Sequence, residues 1–424
     1  MPRLCILNVV GLTPRLLSFA PRLSSLGRAR PWKSPLPAVT LTSQATLLTG
    51  LAPSDHGIVG NGWLYRDTME VRFWQQSFSL LRGDPFYAGF RTAKMFWWFN
   101  QGAPVAWGVT PKPHYGCDGS KVFGIIDRTG CDLEARLGPF PFPAFWGPAA
   151  GLSSSEWIAR ASALVLRERT PDLTLVYLPH LDYDYQRRGP GDPARVAEVD
   201  ACAGIVIDAA REIGAEVVVV SEYGLVPVSR PVYINRALRR AGWLAVRDGP
   251  FGEMLDTFES KAFAVADHQL AHLYVRGVPP SEVRAAIEKL EGVARVADPG
   301  ELELDHPRSG ELVALAEPDA WFAYPYWLDD ARAPDFAPTV DIHRKPGYDP
   351  CELFMTSKAR ALLRLVQKKL GFRYRMDVVP LDASLVRGSH GLRPAPEDGP
   401  LVLGPGEPPE DMRGFKQYVR RLLG

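Results

Sequence analysis

The chain has 424 residues, 46% of them hydrophobic and 23% charged, with 49 Lys and Arg against 48 Asp and Glu. That length can bury a large core, and the near-neutral balance, with no long basic stripe, excludes a dedicated nucleic-acid binder, so no nucleic-acid partner is expected. No apolar run spans a bilayer without a charge, and the five cysteines are odd in number and never in a CxxC pair; no membrane partner, zinc ribbon or disulfide framework is expected, and the location read from this is cytoplasmic.

In chain order, the opening RLCILNVVG is a continuous apolar run, as in a parallel strand covered on both faces. It is too short to span a membrane and lacks the small-residue cleavage site of a leader. From Pro37 to Asp67 the chain reads PAVTLTSQATLLTGLAPSDHGIVGNGWLYRD, with a helix starting near Thr40. A threonine at a helix start sits among unpaired N–H groups at the positive end of the dipole, which suits an alkoxide and a phosphoryl oxygen. Alone, such a threonine reads as a helix cap. Asn61 can supply an oxyanion-stabilising amide, and His56 reads as a turn residue.

Residues from about 85 to about 150 are dense in Pro, Gly and aromatics, including Phe96 to Phe99, and read as an insertion over one sheet edge. Two amphipathic helical patterns follow, each ahead of an apolar run, LTLVYL (173–178) and AEVVVVS (215–221). This alternation predicts an α/β fold, a mostly parallel sheet with helices on both faces. A second insertion, about 280–350, ends in the polar cluster DIHRKPGYDP. Open α/β sheets place ligands beyond the carboxyl ends of their strands. Asn8–Gly11, Asp182–Gln186 and Ser221–Gly224 all sit at such ends.

The Pro37–Asp67 segment resembles the nucleophile region of the nucleotide pyrophosphatase/phosphodiesterases and of phosphonoacetate hydrolase, in the alkaline-phosphatase superfamily. Matching Thr49-Gly50 and His56-Gly57-Ile58 to the family pattern makes Thr40 the nucleophile and Asn61 the residue that supports the phosphoryl group. The resemblance continues through HLDYDYQRRGP (180–190), SEYGL (221–225) and GSHGL (388–392). It implies one alkaline-phosphatase-like domain over 1–424, with an inserted cap-like region.

By the same resemblance, Asp182, Gln186, Glu222 and His390 fall at metal-ligand positions. Gln186 stands where the family has a histidine, Glu222 and Tyr223 where it has an Asp-His pair, and Val10 where it has an aspartate. Among nearby replacements, which include His180, Asp184, Asp267, His268 and Asp349, His343 is preferred. One or two divalent ions (Zn, Mn or Mg) are expected. The implied activity is metal-dependent hydrolysis of a phosphodiester or pyrophosphate ester through a covalent phospho-threonine, on a small phosphorylated substrate. Two alternatives stand beside it: a hydrolase of another tetrahedral anion ester (phosphonate, sulfate or phosphate monoester), and a non-catalytic relative that binds a phosphorylated ligand or a partner protein.

Overall fold

The computed structural model describes residues 2–117, 120–372 and 374–424. Among them, eight strands form the central sheet: β1 (Arg3–Val9), β2 (Arg30–Pro31), β3 (Thr92–Met95), β4 (Trp107–Tyr115), β5 (Lys121–Asp127), β6 (Leu173–Leu178), β7 (Ala215–Val220) and, near the C-terminus, β12 (Leu401–Leu403). Their order is β2-β12-β7-β1-β6-β3-β4-β5. The five strands from β7 to β4 run parallel, and only the flanking pairs are antiparallel. Every residue of β1 from Leu4 to Val9 is buried, as a strand covered on both faces requires. Helices α2 (Leu152–Arg169) and α4 (Pro193–Glu212) pack on each other and on the strands that follow them.

The aromatic stretch after residue 85 does more than lie over an edge. Its strands β3, β4 and β5 extend the sheet itself. A second, antiparallel sheet has its own apolar core and is built from β8 (Ala262–Asp267), β9 (Leu270–Val275), β10 (Val293–Ala297) and β11 (Leu312–Ala316). It begins upstream of residue 280 and so overlaps only part of the second expected insertion.

The register places the site. Asn8 of β1 lies beside Tyr177 of β6 and Val220 of β7, so the loops after these strands open at one level. The β8–β9 hairpin pairs Asp267 with Leu270, leaving His268 and Gln269 as a two-residue turn. Gln269 N–H donates to the carbonyl of His390 at 2.9 Å, which ties the second sheet to the loop carrying that histidine.

Candidate active site

Helix α1 (Thr40–Thr49) starts after Val39, whose extended backbone forms the cap position without a side-chain cap. Thr40 is the first helical residue and does not cap its own helix. The free N–H of Leu41 instead donates to Asn61 Oδ1 at 3.0 Å. Asn61 is itself held by Asp267, which accepts from its backbone N–H at 2.7 Å and from Nδ2 at 3.1 Å. An amide nitrogen carries two protons, so one Nδ2 proton remains for a ligand. His56 is satisfied within its turn, between Thr46 Oγ1 and the N–H of Ile58.

The second group grows from helix α3 (His180–Arg188), which begins two residues past β6. Asp182 and Gln186 lie one turn apart on the same face, and Gln186 Nε2 donates to Asp182 Oδ2 at 2.7 Å. Tyr348 hydroxyl donates to Gln186 Oε1 at 2.8 Å. The Tyr223 hydroxyl donates to Asp182 Oδ1 at 3.4 Å and lies 3.1 Å from Thr40 Oγ1. A phenol has one proton, so a Tyr223 that donates to Asp182 must accept from Thr40. The result is a directed chain from Thr40 through Tyr223 to Asp182.

His390 closes this group. Its Nδ1 is 2.7 Å from the carbonyl of Ala38 and must donate there, which leaves Nε2 as an acceptor 3.5 Å from Asp182 Oδ1. Its ring stacks on Tyr223 at 3.6 Å between centroids, with His268 at 3.7 Å. His268 holds a left-handed φ of 63°, uncommon outside glycine; its ring contacts with His390 and Tyr348 accompany that conformation. Burial pushes the Asp182 carboxyl up to about 7, opposed by the donors Gln186 and Tyr223. Burial also pushes His390 down to about 3, so this imidazole is neutral.

Glu222 belongs to a neighbouring network. Its Oε1 accepts from Asn8 Nδ2 at 2.5 Å and Gln44 Nε2 at 2.6 Å, and Gln44 is oriented by the N–H of Trp98 at 2.8 Å. Burial pushes the Glu222 carboxyl up to about 8, with the two amides opposing. His343 stands apart. It is half-buried, faces the Phe73 backbone and the charges of Lys112, Lys121 and Asp341, and is held below its usual range chiefly by burial. The structure therefore brings Thr40, Asn61, Asp182, Gln186, Glu222 and His390 into linked networks and leaves His343 outside them. Tyr223 and Asp267 carry the links, and no local motif marks them for that role.

These residues do not fit a pair of divalent ions. Val10 offers no ligand atom, both Asp182 oxygens accept from protein donors, and Glu222 Oε1 accepts from two amides. Among the described residues, no three His, Cys, Asp or Glu side chains converge as a metal-ligand set. A cation at Asp182 or at Glu222 Oε1 would meet donors already aimed at those oxygens, whereas Glu222 Oε2 and Asn8 Oδ1 are buried without a hydrogen-bond partner among the described residues.

A parallel α/β sheet with a helix-borne threonine, a facing asparagine and acidic groups at its strand ends defines the alkaline-phosphatase class of fold. The chain belongs to the type I phosphodiesterase / nucleotide pyrophosphatase family, whose model matches residues 4–349 and whose members are phosphoric ester hydrolases, typically dependent on divalent metals. Among solved structures, phosphonoacetate hydrolase from Sinorhizobium meliloti in complex with phosphonoacetate is 18% identical, with a TM-score of 0.63 over 100% of this chain and 96% of that one. An inactive murine ectonucleotide pyrophosphatase / phosphodiesterase 5 in complex with AMP is 14% identical, with a TM-score of 0.59 over 100% and 95% of the two chains. At these identities the likeness speaks to the fold. No curated protein is significantly similar in sequence. Among the described residues no helix is long and apolar enough to cross a membrane.

Proposed function

We propose that this protein hydrolyses a phosphodiester or pyrophosphate ester of a small molecule by transferring the phosphoryl group first to Thr40 and then to water. The observation that carries the reading is the directed chain Thr40–Tyr223–Asp182 at the open end of helix α1. The Thr40 oxygen attacks phosphorus, the ester P–O bond breaks, and the leaving oxygen departs as an alkoxide that takes its proton from water. The Thr40 proton passes to Tyr223 while the Tyr223 proton passes to Asp182, whose raised affinity for protons suits it to that task. The remaining Asn61 Nδ2 proton and the helix N-terminus support the phosphoryl oxygen. Water then cleaves the phospho-threonine, and the relay resets.

The small ligands of the structural neighbours, phosphonoacetate and AMP, support a small phosphorylated substrate. Thr40 is only 4% exposed, so substrate entry requires the residues packed around it to move. The expected one or two Zn, Mn or Mg ions are not given a step in this reading, because among the described residues no three metal-ligating side chains converge. Five unpaired cysteines support a reducing, cytoplasmic location.

The test is hydrolysis of bis(p-nitrophenyl) phosphate by parent, Thr40→Ala and Tyr223→Phe proteins. Losing an activated nucleophile costs several orders of magnitude, and losing the proton relay about 100-fold or more. Both variants should melt as the parent does. A Thr40→Ala protein as fast as the parent overturns the assignment.

A further inference from the structure

We infer that helix α5 (Lys358–Lys369) and the turn after it form a surface that lies on an anionic lipid membrane. The helix, KARALLRLVQKK, buries none of its side chains. Ala359, Leu362, Leu363, Val366 and Leu370 follow the spacing i, i+3, i+4, i+7 and i+11, so they form one stripe. Leu362 is 63% exposed, Leu363 55%, Val366 45% and Leu370 66%, and Phe372 continues the apolar surface at 64%. A contiguous exposed patch of large apolar side chains marks an interaction surface rather than ordinary solvent-facing residues.

The polar side of the same helix is what holds it to the protein. Arg360 donates to Asp377 at 2.5 Å and Arg364 to the same carboxylate at 2.8 Å. Asp377 is buried and held well below the usual carboxylate range by these two guanidinium groups. Tethered through its basic face, the helix presents its leucines outward. This reverses the usual arrangement, in which the apolar stripe of a surface helix faces the core.

Charge selects the occupant. Residues 355–375 contain Lys358, Arg360, Arg364, Lys368, Lys369, Arg373 and Arg375 and no acidic residue, in a chain whose formal net charge is only +1. A second copy of this surface would bring like charges together. Nucleic acid would leave the leucines unburied. A groove that encloses a helix needs its whole circumference, and Asp377 occupies one side. A flat anionic bilayer meets all three conditions, with leucine and phenylalanine in the acyl boundary and lysines reaching the headgroups. This revises the expectation of no membrane partner, which rested on the lack of a spanning segment; a helix that lies on a membrane needs no such length.

The experiment is co-sedimentation of the full chain with phosphatidylcholine vesicles, with and without about a third phosphatidylserine. The expected result is binding to the anionic vesicles only, weakened about tenfold or more both by Leu363→Glu/Val366→Glu and by Lys368→Glu/Lys369→Glu, and weakened by salt. All four positions are exposed, so thermal melting and hydrolysis of a soluble substrate should match the parent, which separates this inference from the reading of Thr40. Absence of binding to anionic vesicles by the folded parent overturns it. So does binding that the Leu363→Glu/Val366→Glu variant retains in full, or a concentration-dependent dimer abolished by that same variant, which would assign the stripe to a second copy.

Discussion

Glu222 sits in the interior between two amide donors, and burial pushes its carboxyl up to about 8, well above the usual carboxylate range. At neutral pH the folded protein therefore holds a proton that the unfolded chain releases near pH 4.3. Because the native state binds more protons across that interval, stability falls as pH rises from about 4.3 to about 8 and levels off above it. Glu222→Gln keeps the oxygen that Asn8 and Gln44 use and removes the titration. The variant should match the parent at about pH 4 and exceed it in melting temperature at about pH 9. A parallel pH profile for the two proteins would show that Glu222 is ionised in the fold. The closeness of Asn61 to the helix start at Thr40 was legible in the sequence because one contiguous segment carries both, and the Leu41–Asn61 bond crosses only that segment. Tyr223 and Asp267 were not legible in these roles. Each meets a residue more than 180 positions away, so the contact exists only in the folded chain.

At the scale of elements, the buried strands were visible as unbroken apolar runs, Leu4–Val9 and Leu173–Leu178 among them. Strands β3 and β4 were not. The first is four residues long, and the second carries Pro111 and Pro113, which read as loop although proline is tolerated near a sheet edge. Helix α1 was legible at both ends, and its terminus offers a test. Gly50 closes it with φ 72°, and an added Cβ would lie 2.9 Å from the Arg413 carbonyl oxygen. A left-handed non-glycine residue costs roughly 1–2 kcal/mol, and the backbone clash adds to that. Gly50→Ala should lower unfolding free energy by about 2 kcal/mol or more while leaving kcat near the parent value, because Gly50 is about 15 Å along the helix from Thr40. Unchanged stability in urea would mean that the helix end shifts to accommodate the methyl group.

At the scale of the whole molecule, the placement of its cations bears on the proposed substrate class. Four basic side chains flank the proposed site in sequence, and any of them turned toward Thr40 would favour the doubly charged phosphate of a monoester. The fold commits three of them elsewhere. Arg187 binds Asp184 at 2.9 Å and the carbonyls of Pro148 and Ala150. Arg344 pairs with Asp341 at 2.7 Å, and Lys345 is buried between Asp349 at 2.6 Å and Glu352 at 2.7 Å. Arg188 remains exposed. Thr40 meets the Tyr223 hydroxyl, with the Asp182 carboxylate beyond it, and the Asn61 amide lies against the next residue. The aromatic walls stand further along, where the Trp98 N–H meets Gln44 one turn down the same helix and Trp74 lies 5.2 Å from Trp98 and 6.0 Å from Tyr348 between ring centroids. Such walls suit a singly charged phosphorus centre carrying a second, bulky substituent. The expected outcome is a higher kcat/KM for bis(p-nitrophenyl) phosphate than for p-nitrophenyl phosphate, with Trp74→Ala and Trp98→Ala raising KM for the diester more than for the monoester. A monoester preference of about tenfold, near 1.4 kcal/mol in relative barrier, would mean that a cation reaches the phosphoryl group in the working enzyme, and the diesterase reading would fall while the role of Thr40 stood.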